Sequence, residues 1–318
     1  MAKVTIKDLL EAGVHFGHQT KRWNPKMKAF VYGARNGISI IDLTKTMRQI
    51  SDACNFLQNK VVNGGSILFV GTKRQAQEII KESAQKTNMF YVAERWLGGT
   101  LTNNVTIRKS ISKMKEMDEL LVSNEVNALK KKEQSSIQRK TSKLHRDLDG
   151  IAGMKKLPDV LVIVDVCHDD IAVKEATKLN IPIVAIVDTN GNPEPIVYPI
   201  PANDDAVRSI KVIMDVLCDS ISVANEVYHK KVIEEKAKAE AAKAEKDAED
   251  KAKKERSEKA AKERADKTQK APPARKKAAA PRKTGTNDAP EAGDKKPQKQ
   301  QEKEVAAESK EETEPAKA

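Results

Sequence analysis

Aromatic residues make up only 3% of this 318-residue chain. Reading single-stranded bases one by one needs stacking platforms, and no aromatic-rich strand signature of that kind is present, which argues against a reader of that type. Cysteine is equally scarce. Cys54, Cys167 and Cys218 lie far apart with no Cys-x-x-Cys, which argues against a disulfide framework and a zinc site of ordinary spacing. Reduced, mostly buried thiols in a cytosolic protein are the expectation. No apolar run approaches the ~20 residues needed to span a bilayer, and the amino terminus lacks the apolar core of a signal peptide. Glycine-rich phosphate cradles are missing too. Gly64-Gly65 precedes a strand instead of following one, and Gly71-Thr72-Lys73 lacks the spaced first glycine of a Walker loop. With five scattered histidines, nothing singles out a nucleophilic triad.

The carboxyl-terminal stretch lacks a core altogether. Between Lys231 and Ala318 there is no Phe, Trp or Tyr, and Val232, Ile233 and Val305 are its only Val, Ile, Leu or Met residues. Such a segment cannot bury enough apolar surface to offset its ordering entropy. The Ala/Lys/Glu run from Glu234 to about Lys270 reads as an exposed helix, and the six prolines from Pro272 to Pro315 as disorder. The predicted organisation is an α/β domain over 1–230, with a helical hairpin inserted at about 104–150, and a charged low-complexity tail over 231–318.

Charge is what the chain does have. The net value is +12 with pI near 9.3. The tail holds 25 basic and 20 acidic residues, the first 230 residues 33 and 26. The excess is therefore spread through the folded part, and a polyanion is the leading partner.

Pro158 to Asp188 organises that part. Val160–Val164 and Ile183–Val187 are apolar runs without alternation, joined by a helix-like segment from Ile171 to Leu179. That pattern is a βαβ unit in a parallel sheet covered on both faces. Further strands are predicted at 30–32, 38–41, 67–70, 89–93 and 196–198, the last ended by Pro199 and Pro201. Helices are predicted at 5–13 with Thr5 as N-cap and Asp8 three residues on, from Asp42 or Thr44 to about 62, at 75–86 with Thr72 as a candidate N-cap, and from Asn203 onward. Two charged helices with thin apolar stripes, one through Val105, Ile107, Ile111 and Met114, the other through Ile137, Leu144 and Leu148, make the hairpin, with Ser123-Asn124 between them.

Two constellations carry chemistry. Residues 14–28 read as a basic, aromatic loop; His15, His18, Lys21, Arg22, Trp23, Lys26, Lys28 and Arg35 suit phosphate contacts. Lys73, Arg74, Arg95 and Arg108 extend the set, and Lys130-Lys131-Lys132 near the hairpin tip is denser than solubility requires. The second constellation, Asp165, His168, Asp188, Asp204 and Asp205, should converge at the carboxyl edge of the sheet, where ligands of open α/β sheets sit. It reads either as a divalent-metal pocket or, more simply, as strand-terminating and helix-dipole aspartates.

Leu9-Leu10-Glu11-Ala12-Gly13-Val14-His15-Phe16-Gly17-His18, Arg95 through Asn103, and Pro158 through Pro182, in that order, resemble the signatures of bacterial small-subunit ribosomal protein S-two. The resemblance covers roughly residues 1–230 and says nothing about the tail. It implies a flavodoxin-like parallel sheet with a protruding hairpin, no enzymatic activity and no required cofactor. It also implies a cytoplasmic place on the small ribosomal subunit between head and body, touching ribosomal RNA, neighbouring ribosomal proteins and ribosomal protein S-one. In some members a zinc ion is associated with the acidic pocket, which carries over here to His168, Asp188, Asp204 and Asp205. The competing readings are a metal- or nucleotide-dependent α/β enzyme working at the acidic edge and, more weakly, a phosphoacceptor receiver.

Overall fold

A computed structural model describes residues 4–122 and 130–234. The expected turn at Ser123-Asn124 and the tail beyond residue 234 lie outside the described residues.

The chain opens with α1, Ile6–Glu11. Thr5 and Asp8 close a reciprocal capping box, each side chain accepting from the other's amide. Three short strands follow: β1 (Phe16–Gln19), β2 (Val31–Arg35) and β3 (Ile38–Ile41), forming an antiparallel sheet in the order β1-β3-β2. Strand β1 falls inside the stretch read as a loop from its glycine and basic content. It is held by its partners β3 and the Thr189 loop rather than by any apolar alternation of its own. Helix α2 (Leu43–Val62) starts where the Asp42 carboxylate accepts from the Thr44 amide at 3.0 Å, and buries Ile50, Ala53, Leu57 and Val61.

The main sheet is built from β4 (Ile67–Val70), β5 (Phe90–Val92), β6 (Val160–Val164), β7 (Ile183–Val187) and β8 (Tyr198–Pro201). All its pairs are parallel, in the order β5-β4-β6-β7-β8. Numbered within the sheet this is 2-1-3-4-5, the flavodoxin-like order, with its switch point between β4 and β6. The helices α3 (Gln77–Thr87) and α6 (Asp170–Lys178), and a helix α7 spanning residues 207–234, complete the layers. Residues of one strand alternate between two cores. Ile67, Phe69, Val162, Val184 and Ile186 pack with Leu57, Ile213 and Leu217, whereas Leu68, Val70, Leu161, Ile163 and Ala185 pack with Trp96, Leu101, Ile107 and Val173. Coverage on both faces is why the runs at β6 and β7 are apolar throughout.

Two local expectations change. Pro199 and Pro201 lie within β8 instead of ending it. β8 is an edge strand, and the two prolines, two residues apart, share one side of it, so the missing amides are not needed by β7. Thr72 does not cap α3, whose N-cap is Ala76 without a side-chain bond; Thr72 instead bonds Asp169 across the sheet.

Helices α4 (Asn104–Val122) and α5 (Lys131–Leu148) pack on each other and on the second core through Ile107, Ile111, Met114 and Leu148, with Ile151 added by the 3-10 turn that follows. Val105 is solvent-facing at 68% exposure, so the apolar stripe of α4 is narrower than its sequence suggests. His145 Nε2 lies 2.7 Å from Asp118 Oδ1, tying the two helices together. Their base is pinned at Gly150, where a Cβ would fall 2.1 Å from the Tyr91 carbonyl oxygen of β5. Helix α7 passes without interruption through residue 230, the boundary expected from composition.

Candidate functional site

The carboxyl ends of β4, β6, β7 and β8 deliver Lys73, Asp165, Asp188, and the Asp204-Asp205 pair to one edge of the sheet. Asp165 has φ +67, and its Oδ1 accepts from the Cys167 and His168 amides at 2.9 and 3.1 Å, so the strand turns sharply as it ends. Asn203 Oδ1 accepts from the Asp205 and Ala206 amides at 2.9 and 3.3 Å, fixing Asp204 and Asp205 in the turn that leads into α7.

Lys73 sits at the centre. Its Nζ lies 2.7 Å from Asp204 Oδ1, 2.7 Å from Asp205 Oδ1 and 3.2 Å from Asp165 Oδ2. Burial alone would lower its pKa, but the hydrogen bonds to Asp204 and Asp205 outweigh that and keep the ammonium charged. Asp204 is almost fully buried. Burial first, then the charge of Asp165, push its pKa to about 7 against the pull of Lys73. Asp205 moves the opposite way, lowered chiefly by its hydrogen bond from Lys73.

The lid of this edge comes from the far end of the chain. β1 lies across it, with the His18 amide donating to Thr189 Oγ1 at 2.9 Å and the Asn24 amide to the Thr189 carbonyl at 2.7 Å. Only glycine allows this approach at position 17, since a Cβ there would stand 2.6 Å from Thr189 Cγ2. His18 Nδ1 then lies 2.9 Å from Asp188 Oδ2, an ion-pair distance at which Nδ1 is not aligned as a hydrogen-bond donor. His18 Nε2 is 3.5 Å from Asp205 Oδ2. The adjacent Asp188 carboxylate raises the His18 pKa, burial opposes it, and the charges of Asp188, Asp204 and Asp205 add to the rise.

The expected acidic constellation therefore forms, with one exchange. Asp188, Asp204 and Asp205 meet as expected, but His168 does not join them. Its Nδ1 lies 2.7 Å from Thr72 Oγ1, and its side chain is half exposed. His18 takes the imidazole position, and Lys73 is a member that the sequence alone assigns to RNA. Nothing local in residues 14–28 marks His18 for this place. Cys167 is exposed, unlike the buried thiol expected.

The basic candidates divide by accessibility. Lys21, Arg22, Lys28, Arg35, Arg74 and Arg95 are exposed, as are Arg108 and Lys130, Lys131 and Lys132 on the hairpin. Among the described residues, no ion pair involves Lys21, Arg22, Lys28, Arg35, Lys130, Lys131 or Lys132. Trp23 is 38% exposed. Lys26 pairs with Glu194, and Arg108 donates to the Lys155 carbonyl, both at the surface. His15 is half buried and tilted against Phe16 at 4.0 Å, with its pKa lowered by burial. His18 and Lys73 are turned inward onto carboxylates, so the structure does not present these two to phosphate.

The edge is an acidic cluster partly neutralised by the chain's own lysine, set beside exposed basic loops and a basic helical pair on an α/β body. The family described as Ribosomal protein S2 matches residues 9–224. The small ribosomal subunit protein uS2 of Koribacter versatilis (strain Ellin345) is 49% identical over 234 residues, covering 74% of this chain and 78% of its own length. The protein of the same name from Geotalea uraniireducens (strain Rf4) is 52% identical over 221 residues, covering 70% and 86%. The chain belongs to the ribosomal protein S2 family. It is a structural ribosomal protein and not an enzyme, which removes the catalytic and receiver readings of the acidic edge.

Proposed function

We propose that this protein is held in the cytoplasmic small ribosomal subunit by ribosomal RNA and by neighbouring ribosomal proteins, with the two kinds of contact made by different surfaces. Segregation of charge is the observation that carries this reading. Helix α5 exposes Lys131, Lys132, Arg139, Lys140 and Lys143, with Glu133 and Asp147 its only acids, whereas the carboxylates Asp165, Asp188, Asp204 and Asp205 are gathered at the sheet edge. The basic helices and the loop residues Lys21, Arg22, Lys28 and Arg35 neutralise phosphates of folded RNA, which makes binding strongly salt dependent. The exposed Phe16 (49%), Tyr32 (81%) and Ile38 (38%) lie on the small sheet that covers the acidic edge and suit a protein partner. Ribosomal protein S1 is the partner that the sequence resemblance offers for that surface.

A divalent ion such as zinc fits the same edge. Donor atoms of His18, Asp188 and Asp204 lie within 4.8 Å of one another, and four carboxylates share one ammonium and one imidazole. Burial first, and then the neighbouring charge of Asp165 that this deficit leaves uncompensated, raise the Asp204 pKa to about 7. His18, Asp188 and Asp204 would hold the ion, which would brace β1 against the sheet without any catalytic step.

The test is sedimentation of the tagged chain with small subunits at low and high salt. Co-migration that fades progressively as salt rises is expected, with earlier release for the K130A/K131A/K132A variant. Free protein under all conditions would sink the proposal.

A further inference from the structure

Glu175, on α6, is buried, with 7% of the residue exposed, and belongs to neither the acidic edge nor the basic surfaces. Its Oε1 accepts from Trp96 Nε1 at 3.1 Å and from the Gly99 amide at 2.7 Å. Its Oε2 accepts from the Leu101 amide at 3.0 Å, the Thr102 amide at 3.1 Å and Thr102 Oγ1 at 3.1 Å. Five donors from residues 96–102 thus converge on one carboxylate. Gly99, at φ +90, turns the backbone so that successive amides face the same point. Burial pushes the Glu175 pKa up, but the bonds from Gly99, Thr102, Trp96 and Leu101 outweigh it and hold the group below its usual value. It is an internal anion in an anion cradle.

The cradle stands immediately before α4. Residues 99–102 are its wall, Asn103 accepts from the Ile107 amide, and α4 begins at Asn104. The loop is the covalent link through which the hairpin leaves β5. We propose that Glu175 is a positioning residue: by latching this loop to α6 it sets the direction of α4 and α5, and with it the placement of the basic residues Lys130 to Lys132. The consequence for RNA rests on the function proposed above; the orienting role does not.

The experiment uses the full chain with Cys54, Cys167 and Cys218 replaced by Ala. Spin labels are attached after Ser51→Cys on α2 and Ser136→Cys on α5, both exposed positions. Glu175→Gln keeps the size but turns an amide NH2 toward backbone donors, so at least one half of the cradle is disrupted. Hydrogen exchange at residues 99, 101 and 102 should then quicken by roughly 10-fold or more, and the label-to-label distance distribution should broaden. Thr102→Val, which deletes one donor of five, should give a smaller broadening and carries the test if E175Q does not fold. Faster exchange with an unchanged distance distribution would overturn the proposal, leaving Glu175 as a brace of the loop alone; unchanged exchange would overturn it as well. In assembled subunits, acylation of Lys130 to Lys132 should rise in E175Q while Lys21 and Lys28 stay protected. Full reactivity of Lys130 to Lys132 in the unsubstituted protein would instead refute the hairpin–RNA contact, and the distance measurement would still decide the role of Glu175.

Discussion

Replacing Lys73 by Met should destabilise the protein by an amount that grows with pH. The ammonium is the only lysine or arginine group paired with Asp165, Asp204 and Asp205 among the described residues, at 3.2, 2.7 and 2.7 Å. Asp165 and Asp204 are buried, and removing one partner of a buried pair costs about 3–5 kcal/mol. A second route to the magnitude is that the folded protein escapes by protonating a carboxyl. From an unfolded value near 3.8, that escape costs about 5–6 kcal/mol at pH 8 and less than about 2 kcal/mol at pH 5. The deficit of K73M is therefore about 3–5 kcal/mol at pH 8 and below about 2 kcal/mol at pH 5. The wild-type protein already leans the same way. Asp204 has a folded pKa raised from 3.8 to about 7, so the folded state holds a proton the unfolded state has released. Its contribution favours folding at the acid end and is lost as pH climbs from about 4 through 7. Urea unfolding of both proteins, followed by far-ultraviolet circular dichroism at pH 5, 6, 7 and 8, measures the difference. A deficit equal at pH 5 and pH 8, or larger at pH 5, would refute the assignment of Lys73 as the counter-charge of this edge.

His18→Asn should cost most at pH 5 and 6 and least at pH 8 in the same assay. The His18 pKa is raised above 6.5, so its stabilisation is complete below 6.5 and disappears as pH rises through the folded value. Zinc should raise the melting temperature of the wild-type protein and of H168N but not of H18N, because His18 rather than His168 sits with Asp188 and Asp204; equal shifts in all three would remove the metal assignment. Gly150→Ala should lower stability by several kcal/mol, on the order of the larger single-site effects, since the new Cβ meets the backbone carbonyl of Tyr91 at 2.1 Å and cannot rotate away; a melting temperature within error of wild type would contradict that packing. The K130A/K131A/K132A variant should reduce the salt slope of RNA binding by about 2–3, close to one for each phosphate no longer neutralised; an unchanged slope would place the RNA interface elsewhere.

What is legible from sequence follows the range of the interactions involved. Elements set by their own residues are readable directly: Thr5 with Asp8 caps α1, Asp42 caps α2, and the runs at β6 and β7 are apolar because both faces are covered. Even the convergence of Asp188, Asp204 and Asp205 is readable, because the carboxyl ends of parallel strands share one edge whatever the loops do. The failures are long-range. His18 reaches Asp188 across 170 positions and Lys73 reaches Asp204 across 131, and neither neighbourhood contains a local sign of its partner. A lysine after a strand reads as a phosphate contact until the aspartates opposite are known. A histidine in a basic loop reads as an RNA contact until the loop is seen folded over a carboxylate. Charge in this chain is thus sorted by the fold: cations that the sheet edge can reach are consumed there, and those on α5 and on the turn at residues 20–22 stay outward. An RNA interface should be sought among cations that the fold leaves without a carboxylate. Among the described residues that criterion keeps Lys130 to Lys132, Lys21, Arg22, Lys28, Arg35, Arg74, Arg95 and Arg108, and drops His18, Lys73 and Lys26, which the sequence alone ranks beside them.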